Sequence, residues 1–298
     1  MILVTGATGN TGGATMRALL AAGAPVRALV RNPANFSAPD GVEVVQGSFE
    51  DDASLDAALS GVDKAFLVGA SGENQVDEET GFVRAASRAR LGHLVRLSVI
   101  GADHPAADSL RFGRIHRLVE MVVMSTGVPY TFLRPNGFMQ NFLGQASSIT
   151  GQGVMYSGLS ETAQVSHIDA ADIGAAAAAV LLGSGHEGQG YALTGPEGLA
   201  DDDVARRMGA ALGREIACVH VPPAAVGESL VAAGYPQWNA DGIGKLYAQC
   251  HGNRQCGGHA QHQCELDRHS GCQQRHGGVG RRESQLCSGQ RRGAVLGQ

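Results

Sequence analysis

The sequence predicts an α/β fold: a doubly wound parallel sheet carrying a small C-terminal substrate-binding lobe. Three observations predict it. Short apolar, β-branched runs alternate with helical stretches of about 10–15 residues, the pattern of successive βα units. The first run, Ile2 to Thr5, passes through a glycine-spaced turn directly into an Ala/Leu-rich stretch. Hydrophobic residues make up 43% of the 298-residue chain, enough for a sizeable core.

The elements follow in order. Ile2 to Thr5 reads as a buried strand, and residues 11–22, closed by Gly23, as a helix. Val26 to Val30, ending before Asn32-Pro33, and Val42 to Val45 are the next strands. Asp51 and Asp52 suit the N-terminus of a helix over 51–60. Strands at Ala65 to Val68, Leu94 to Ser98 and Tyr130 to Leu133 alternate with helices at 76–90 and 109–125. Beyond residue 136 the alternation loosens, leaving helices at 170–182 and 200–212 and short strands near 190–194 and 216–221. The division expected is a nucleotide-binding region over 1–135, a substrate lobe over 136–249 and a separate end over 250–298.

The turn after the first strand is Gly6-Ala7-Thr8-Gly9-Asn10-Thr11-Gly12. Gly6 permits the sharp exit from the strand, Gly9 lets the backbone approach a diphosphate, and Gly12 lets the helix pack closely. The helix N-terminus then offers N–H groups and a positive dipole end to the phosphates. This context of strand, glycines and helix is what identifies a Rossmann-type dinucleotide loop. The second strand ends in Arg31, where an NAD-preferring site would carry an acidic residue for the ribose hydroxyls. A guanidinium there suits a 2′-phosphate, so the expected cofactor is NADP(H). Arg27 alternates to the other face and is the weaker candidate.

The segments TGATGNTGG, VRALVRNP, GSFEDDASLDAAL and SGVPYTFLRPNGFMQNFL resemble the NmrA-like branch of the atypical short-chain dehydrogenases. Within it, residues 1–247 are most similar to the bacterial NADPH quinone oxidoreductases. The resemblance implies an NADP(H)-dependent reductase. It also implies that Phe49 packs on the adenine, that Val68 and Gly69 flank the nicotinamide ribose, and that Pro135 and Asn136 touch the nicotinamide. Phe138 and Phe142 would line the acceptor pocket, or else belong to the core. Ser98 stands where the superfamily keeps a Ser or Thr; it reads as a catalytic or cofactor contact, or as a strand-end cap.

Ordinary short-chain dehydrogenases pair a tyrosine with a lysine four residues later. The chain has two lysines, Lys64 and Lys245, and the residues four before them are Ser60 and Asp241. Related quinone reductases keep a lysine on the helix after the fifth strand, where Met121, next to Glu120, is the expected match. Alcohol–ketone chemistry is thereby disfavoured, and acceptors that need no strong acid are favoured: quinones, azo dyes, triphenylmethane cations. His116 is a candidate proton donor or a structural histidine. Asp172, in a segment with His167 and Asp169, reads as a helix N-terminal residue. The competing reading is a non-catalytic NADP-binding sensor of the NmrA type.

Composition bounds the rest. A net charge of −5 without a basic stripe disfavours nucleic acid as a direct partner. No apolar run is long enough for a membrane span. A cytoplasmic monomer or homodimer, acting on a small-molecule electron acceptor, is the expectation. From Cys250 onward the chain contains no Ile, Phe, Tyr, Trp, Met, Pro, Lys or Thr. Such an end cannot bury enough apolar surface to offset its ordering entropy. Its Arg, Gly, Cys, His and Gln are what a GC-rich gene yields out of frame, so a frameshifted, unstructured end is expected. Cysteine gaps of 6, 8, 8 and 15 residues, without a CxxC pair, do not match structural zinc spacing, and no metal is expected.

Overall fold

The computed structural model describes residues 1–251. Strands β1 (Ile2–Val4), β2 (Val26–Val30), β3 (Val42–Gln46), β4 (Lys64–Leu67), β5 (His93–Leu97) and β6 (Tyr130–Pro135) lie in one parallel sheet. Two shorter strands, β7 (Val154–Ser157) and β9 (Ala217–His220), pair with each other, while β8 (Gln189–Leu193) joins the large sheet. The order β3-β2-β1-β4-β5-β6-β8 reverses at β1/β4, which opens a crevice at the carboxyl ends of those strands. The expected doubly wound α/β class is what the chain adopts.

Strand alternation divides the core into two layers. Ile2, Val4, Phe66 and Leu133 face α1 (Asn10–Ala21) and α5 (Ala170–Leu182). Leu3, Ala65, Leu67 and Leu94 face α2 (Asp52–Leu59), α3 (Gln75–Arg88) and α4 (Arg111–Ser125). Side chains satisfy the ends of α2 and α5. Asp51 accepts from the N–H groups of Ala53 and Ser54, and Asp169 from that of Ala171. Arg27 donates to the carbonyls of Ala58 and Ser60 at the end of α2, at 2.7 Å each. Lys64 donates to those of Leu181 and Gly183 at the end of α5, at 2.7 and 3.0 Å.

Helices α6 (Asp201–Leu212), α7 (Pro223–Ala232) and α8 (Gln237–His251) complete the described residues with the two-stranded sheet. Ile149, Met155, Val204, Ala205 and Ile216 form a small core there, with Phe142 packed against it. Sequence periodicity did not reveal β7, α7 or α8. β7 has four residues, and α7 buries none of its side chains, so neither carries a strong hydrophobic period. The boundary expected at residue 250 falls inside α8, where Cys250 packs near Leu159 and Val165. The expectation for the remainder of that end lies outside the described residues. Among the described residues, no helix is long and apolar enough to cross a membrane.

Helix α5 lies directly on α1. A Cβ placed at Gly174 would stand 2.5 Å from the Ala14 carbonyl carbon and 2.7 Å from the Thr15 nitrogen, both rigid backbone. Gly174→Val is therefore expected to destabilise the fold by about 2 kcal/mol through overpacking. Urea unfolding checks this, and an unchanged midpoint would show that α5 can shift freely.

Candidate functional site

The crevice begins at the β1–α1 turn. Gly6 adopts φ +59°, a left-handed conformation that glycine tolerates best. A Cβ at Gly12 would meet the Gly6 carbonyl oxygen at 2.2 Å, so only glycine lets α1 sit this close to the turn. Gly9 is the N-cap of α1; no side chain caps it and no acidic residue lies in the first turn. Thr8, Gly9 and Asn10 are exposed, whereas Thr11 is buried and accepts through its carbonyl from Thr15 Oγ1 at 2.9 Å. The helix end is thus a cradle whose backbone N–H groups face an anion with nothing negative in the way. A dinucleotide diphosphate fits it.

Thr5 secures the neighbouring strand. Its Oγ1 accepts from the Val68 N–H at 2.8 Å and donates to the Val68 carbonyl at 3.0 Å. Val68 Cγ1 in turn closes over Gly6, 2.7 Å from where a Cβ would be. Gly69 follows, and a Cβ there would stand 2.8 Å from Glu79 Oε1. Arg31, at the end of β2, is exposed, and no ion pair engages its guanidinium among the described residues. It is therefore open to a phosphate, unlike Arg27, which is held by α2 and Glu43. Phe49 packs on Phe82, ring centroids 5.5 Å apart, and lines a cleft of about 320 Å³ with Glu50, Asn74, Asp77 and Glu78.

The carboxyl ends of β5 and β6 carry buried charge that sequence reasoning missed. Ser98 Oγ donates to Glu120 Oε1 at 2.6 Å. Arg134 grips the same carboxylate with Nε and Nη2, at 3.0 and 2.8 Å, and reaches Asp103 at 2.8 Å through Nη1. Beside this group, Arg96 is completely buried. It donates to Glu79 at 2.7 Å and to His116 Nδ1 at 3.2 Å, while Gln75 donates to the other Glu79 oxygen at 2.8 Å. Burial, and then the Arg96 charge, hold the His116 imidazolium form well below the ordinary 6.5. His116 is thus an acceptor for Arg96, and its ring is neutral near neutral pH.

Two residues of α4 turn towards this charged end of the crevice. The α4 position facing Ser98 is Glu120; Met121 is 51% exposed. One residue along a helix turns a side chain by about 100°, so Met121 points away from the side on which Glu120 meets Ser98. His116 and Glu120 stand four apart on α4 and face Arg96 and Ser98. That spacing was the one signal available, and it is not distinctive on its own.

The acceptor side lies where β6 ends. Pro135 is buried, and Asn136 accepts through Oδ1 from the Gly137 N–H at 2.8 Å. Phe138 packs against the α1/α5 core layer and pairs with Ile168 in a short bridge. Phe142 meets His167 edge-on, centroids 4.9 Å apart. His167 Nε2 lies 4.0 Å from Asp201 Oδ1, and both atoms are buried without a hydrogen-bond partner. Burial lowers the pKa of His167, which Asp201 and the Gly137 backbone partly offset. Asp169 caps α5 with Asp172 in its first turn, as a helix N-terminal role requires.

Comparison with known proteins follows the same outline. The NmrA-like family model matches residues 1–265. A (4-alkanoyl-5-oxo-2,5-dihydrofuran-3-yl)methyl phosphate reductase from Streptomyces griseus is 42% identical over 217 residues, 72% of this chain and 75% of that protein. An NAD(P)H azoreductase from Xenophilus azovorans is 38% identical over 251 residues, 83% of this chain and 86% of its own. An NADPH-dependent quinone oxidoreductase from Escherichia coli, solved with NADPH, superposes with a TM-score of 0.76 at 28% identity. That match covers 85% of this chain and 90% of the other.

Glu120→Leu removes the buried carboxylate that Arg134 and Ser98 share, and is expected to cost about 3 kcal/mol, as removing one partner of a buried pair does. Met121→Ala, on the exposed side of the same turn, should stay within about 0.5 kcal/mol. Equal effects in urea unfolding would contradict the assignment of Glu120 as the inward residue. Stability should also depend on acid. His116 titrates lower in the folded chain than in the unfolded one, whose value is near 6.5. Above that pH both forms are neutral and stability is full. As pH falls through it, the unfolded chain takes up protons first and stability declines until the folded ring protonates. Unfolding free energies measured on both sides of that value should show the decline, and His116→Gln should make it shallower.

Proposed function

The chain belongs to the NmrA-like family, and from that premise we propose that it is an NADPH-dependent reductase that passes hydride to a small, electron-poor acceptor of quinone or azo type. The observation that carries the reading is the cradle at Gly6, Gly9 and Gly12 with Arg31 open beside it. NADPH, when bound, supplies the hydride. The backbone N–H groups at the start of α1 hold the diphosphate, and Arg31 pairs with the 2′-phosphate. Val68, Gly69 and Pro135 border the place of the nicotinamide ribose and ring, with Phe49 towards the adenine. Asn136, Phe138 and Phe142 border the acceptor. The lobe formed by residues 136–249 closes this side from water, which favours hydride transfer over loss to solvent.

The acid–base side of the site limits the acceptors. Ser98 has its hydroxyl proton committed to Glu120, and His116 accepts from Arg96 in its neutral form. Neither group is set to protonate an alkoxide as it forms. An acceptor that spreads the incoming charge over a conjugated system needs no such acid, and catalysis then rests on proximity and orientation.

The test is steady-state NADPH oxidation against quinones, azo dyes, ketones and secondary alcohols, together with calorimetric titration of both cofactors. NADPH should bind more tightly than NADH, and Arg31→Ala should weaken NADPH by about 2 kcal/mol, roughly thirtyfold, while sparing NADH. Equal affinity for the two cofactors would remove the role given to Arg31. Turnover should be seen with the conjugated acceptors. Robust alcohol oxidation would overturn the acceptor class, and tight NADPH binding without any turnover would favour a sensor.

A further inference from the structure

Away from the crevice, the small sheet brings together three side chains of different metal-binding chemistry. Cys218 and His220 are alternate residues of β9 and so share one face. Asp202, in the first turn of α6, comes up to that face. His220 Nε2 is 2.7 Å from Asp202 Oδ2 and 3.7 Å from Cys218 Sγ, and the three donor atoms lie within 4.8 Å of one another.

The other ring nitrogen decides what this means. His220 Nδ1 lies 2.8 Å from the Leu159 carbonyl oxygen. A carbonyl can only accept, so Nδ1 carries a proton, and the remaining Nε2 position is the one aimed at Asp202 and Cys218, as a lone pair whenever it holds no proton. A lone pair and a carboxylate oxygen 2.7 Å apart require a cation between them. A proton would serve only that pair. A metal ion would serve all three groups, and an imidazole whose second N–H is held by a backbone carbonyl is the usual support of a metal-ligating histidine. The spacing is close to what a tetrahedral zinc needs. Bonds of about 2.0–2.3 Å put the sulfur and nitrogen about 3.6 Å apart and the nitrogen and oxygen about 3.3 Å apart. The nitrogen–sulfur contact of 3.7 Å already matches, and the 2.7 Å Asp202 contact has to open by about 0.6 Å. Asp201 and Glu161 add negative charge around the group.

We propose that Asp202, Cys218 and His220 bind one divalent cation of zinc type, with a fourth position open to solvent. The ligands come from α6 and β9, so the ion clips the helix to the edge of the small sheet and steadies the lobe. It takes no part in hydride transfer, and the proposal stands or falls independently of the reductase reading.

The experiment uses the full chain, kept reduced, stripped with chelator and titrated with Co²⁺ and then Zn²⁺. Five further cysteines lie from residue 250 onward, so the readout is the difference between wild type and single variants. Wild type should bind one more equivalent than Cys218→Ser and show a thiolate-to-cobalt absorption band that this variant lacks. His220→Gln and Asp202→Asn should each lose the same equivalent, and Zn²⁺ should raise the melting temperature of wild type but not of the variants. Cys218→Ser changes one atom, so its far-ultraviolet circular dichroism should match wild type and its loss of metal cannot be loss of fold. An unchanged band and stoichiometry in Cys218→Ser would assign the metal to other cysteines and overturn the proposal. No band in wild type would leave His220 and Asp202 as an imidazolium–carboxylate pair and overturn it equally.

Discussion

The close approach of α1 to its neighbours is the constraint on which the rest of the molecule depends. On one side the Gly6 carbonyl lies where a Gly12 side chain would begin, and on the other Gly174 brings α5 down onto the backbone at Ala14 and Thr15. Neither contact tolerates a methyl group without moving backbone. Together they set the direction of the helix axis, and with it the point at which the N–H groups of the first turn converge. A wider separation would still give a parallel sheet. It would aim those groups elsewhere, and an anion site is only as good as its geometry. Thr5 adds the third side by tying β1 to β4 through Val68, so the floor of the crevice is fixed as well as its wall.

At the far end of the same crevice the chain holds two buried charged groups, around Glu120 and around Arg96. Burying ions costs free energy that pairing recovers only when every partner is well placed. Here Glu120 meets Ser98 and two nitrogens of Arg134, and Glu79 meets Arg96 and Gln75. Arg96 Nη1 alone of this guanidinium is buried without a partner, and the remaining paired groups hold one another in a single arrangement, which defines the shape of this end of the crevice. Its chemical consequence is restrictive. The groups nearest the ends of β5 and β6 are committed to one another, which leaves none of them free to act as a proton donor in the crevice.

The sheet was legible in the sequence because its signals are local. Each buried strand is a short apolar run, and two of the helices, α2 and α5, open on capping aspartates, Asp51 and Asp169. The phosphate loop was legible for the same reason, since its glycines, strand and helix are contiguous. The inner polar groups were not. Arg96, Glu79, Glu120 and Arg134 lie on four different elements, and each alone reads as an ordinary surface charge. That Glu120 rather than Met121 faces inward was not legible, because helical phase cannot be fixed to one residue when apolar residues follow directly, as in Glu120-Met121-Val122-Val123. The small lobe escaped detection through the weakness of its own pattern, with α7 burying nothing and β7 only four residues long.

That weakness bears on how the lobe is held in place. Its core is five buried residues around Ile149 and Met155, far fewer than support either face of the large sheet. Elements with so little apolar burial draw their order from polar contacts, and the lobe has these at its joints. Ser157 donates to Asp201 at 2.6 Å, joining β7 to α6, and His220 spans from Leu159 to Asp202, joining β9 to both. Asp201 is the hinge between this set and the crevice, since its second oxygen faces His167, which packs on Phe142 beside the end of β6. The joint between α6 and the small sheet and the residues at the end of β6 thus have Asp201 as a common neighbour. The lobe is thus thinly packed and stitched by polar contacts, whereas the close glycine contacts of α1 fix the cradle at the other end of the crevice.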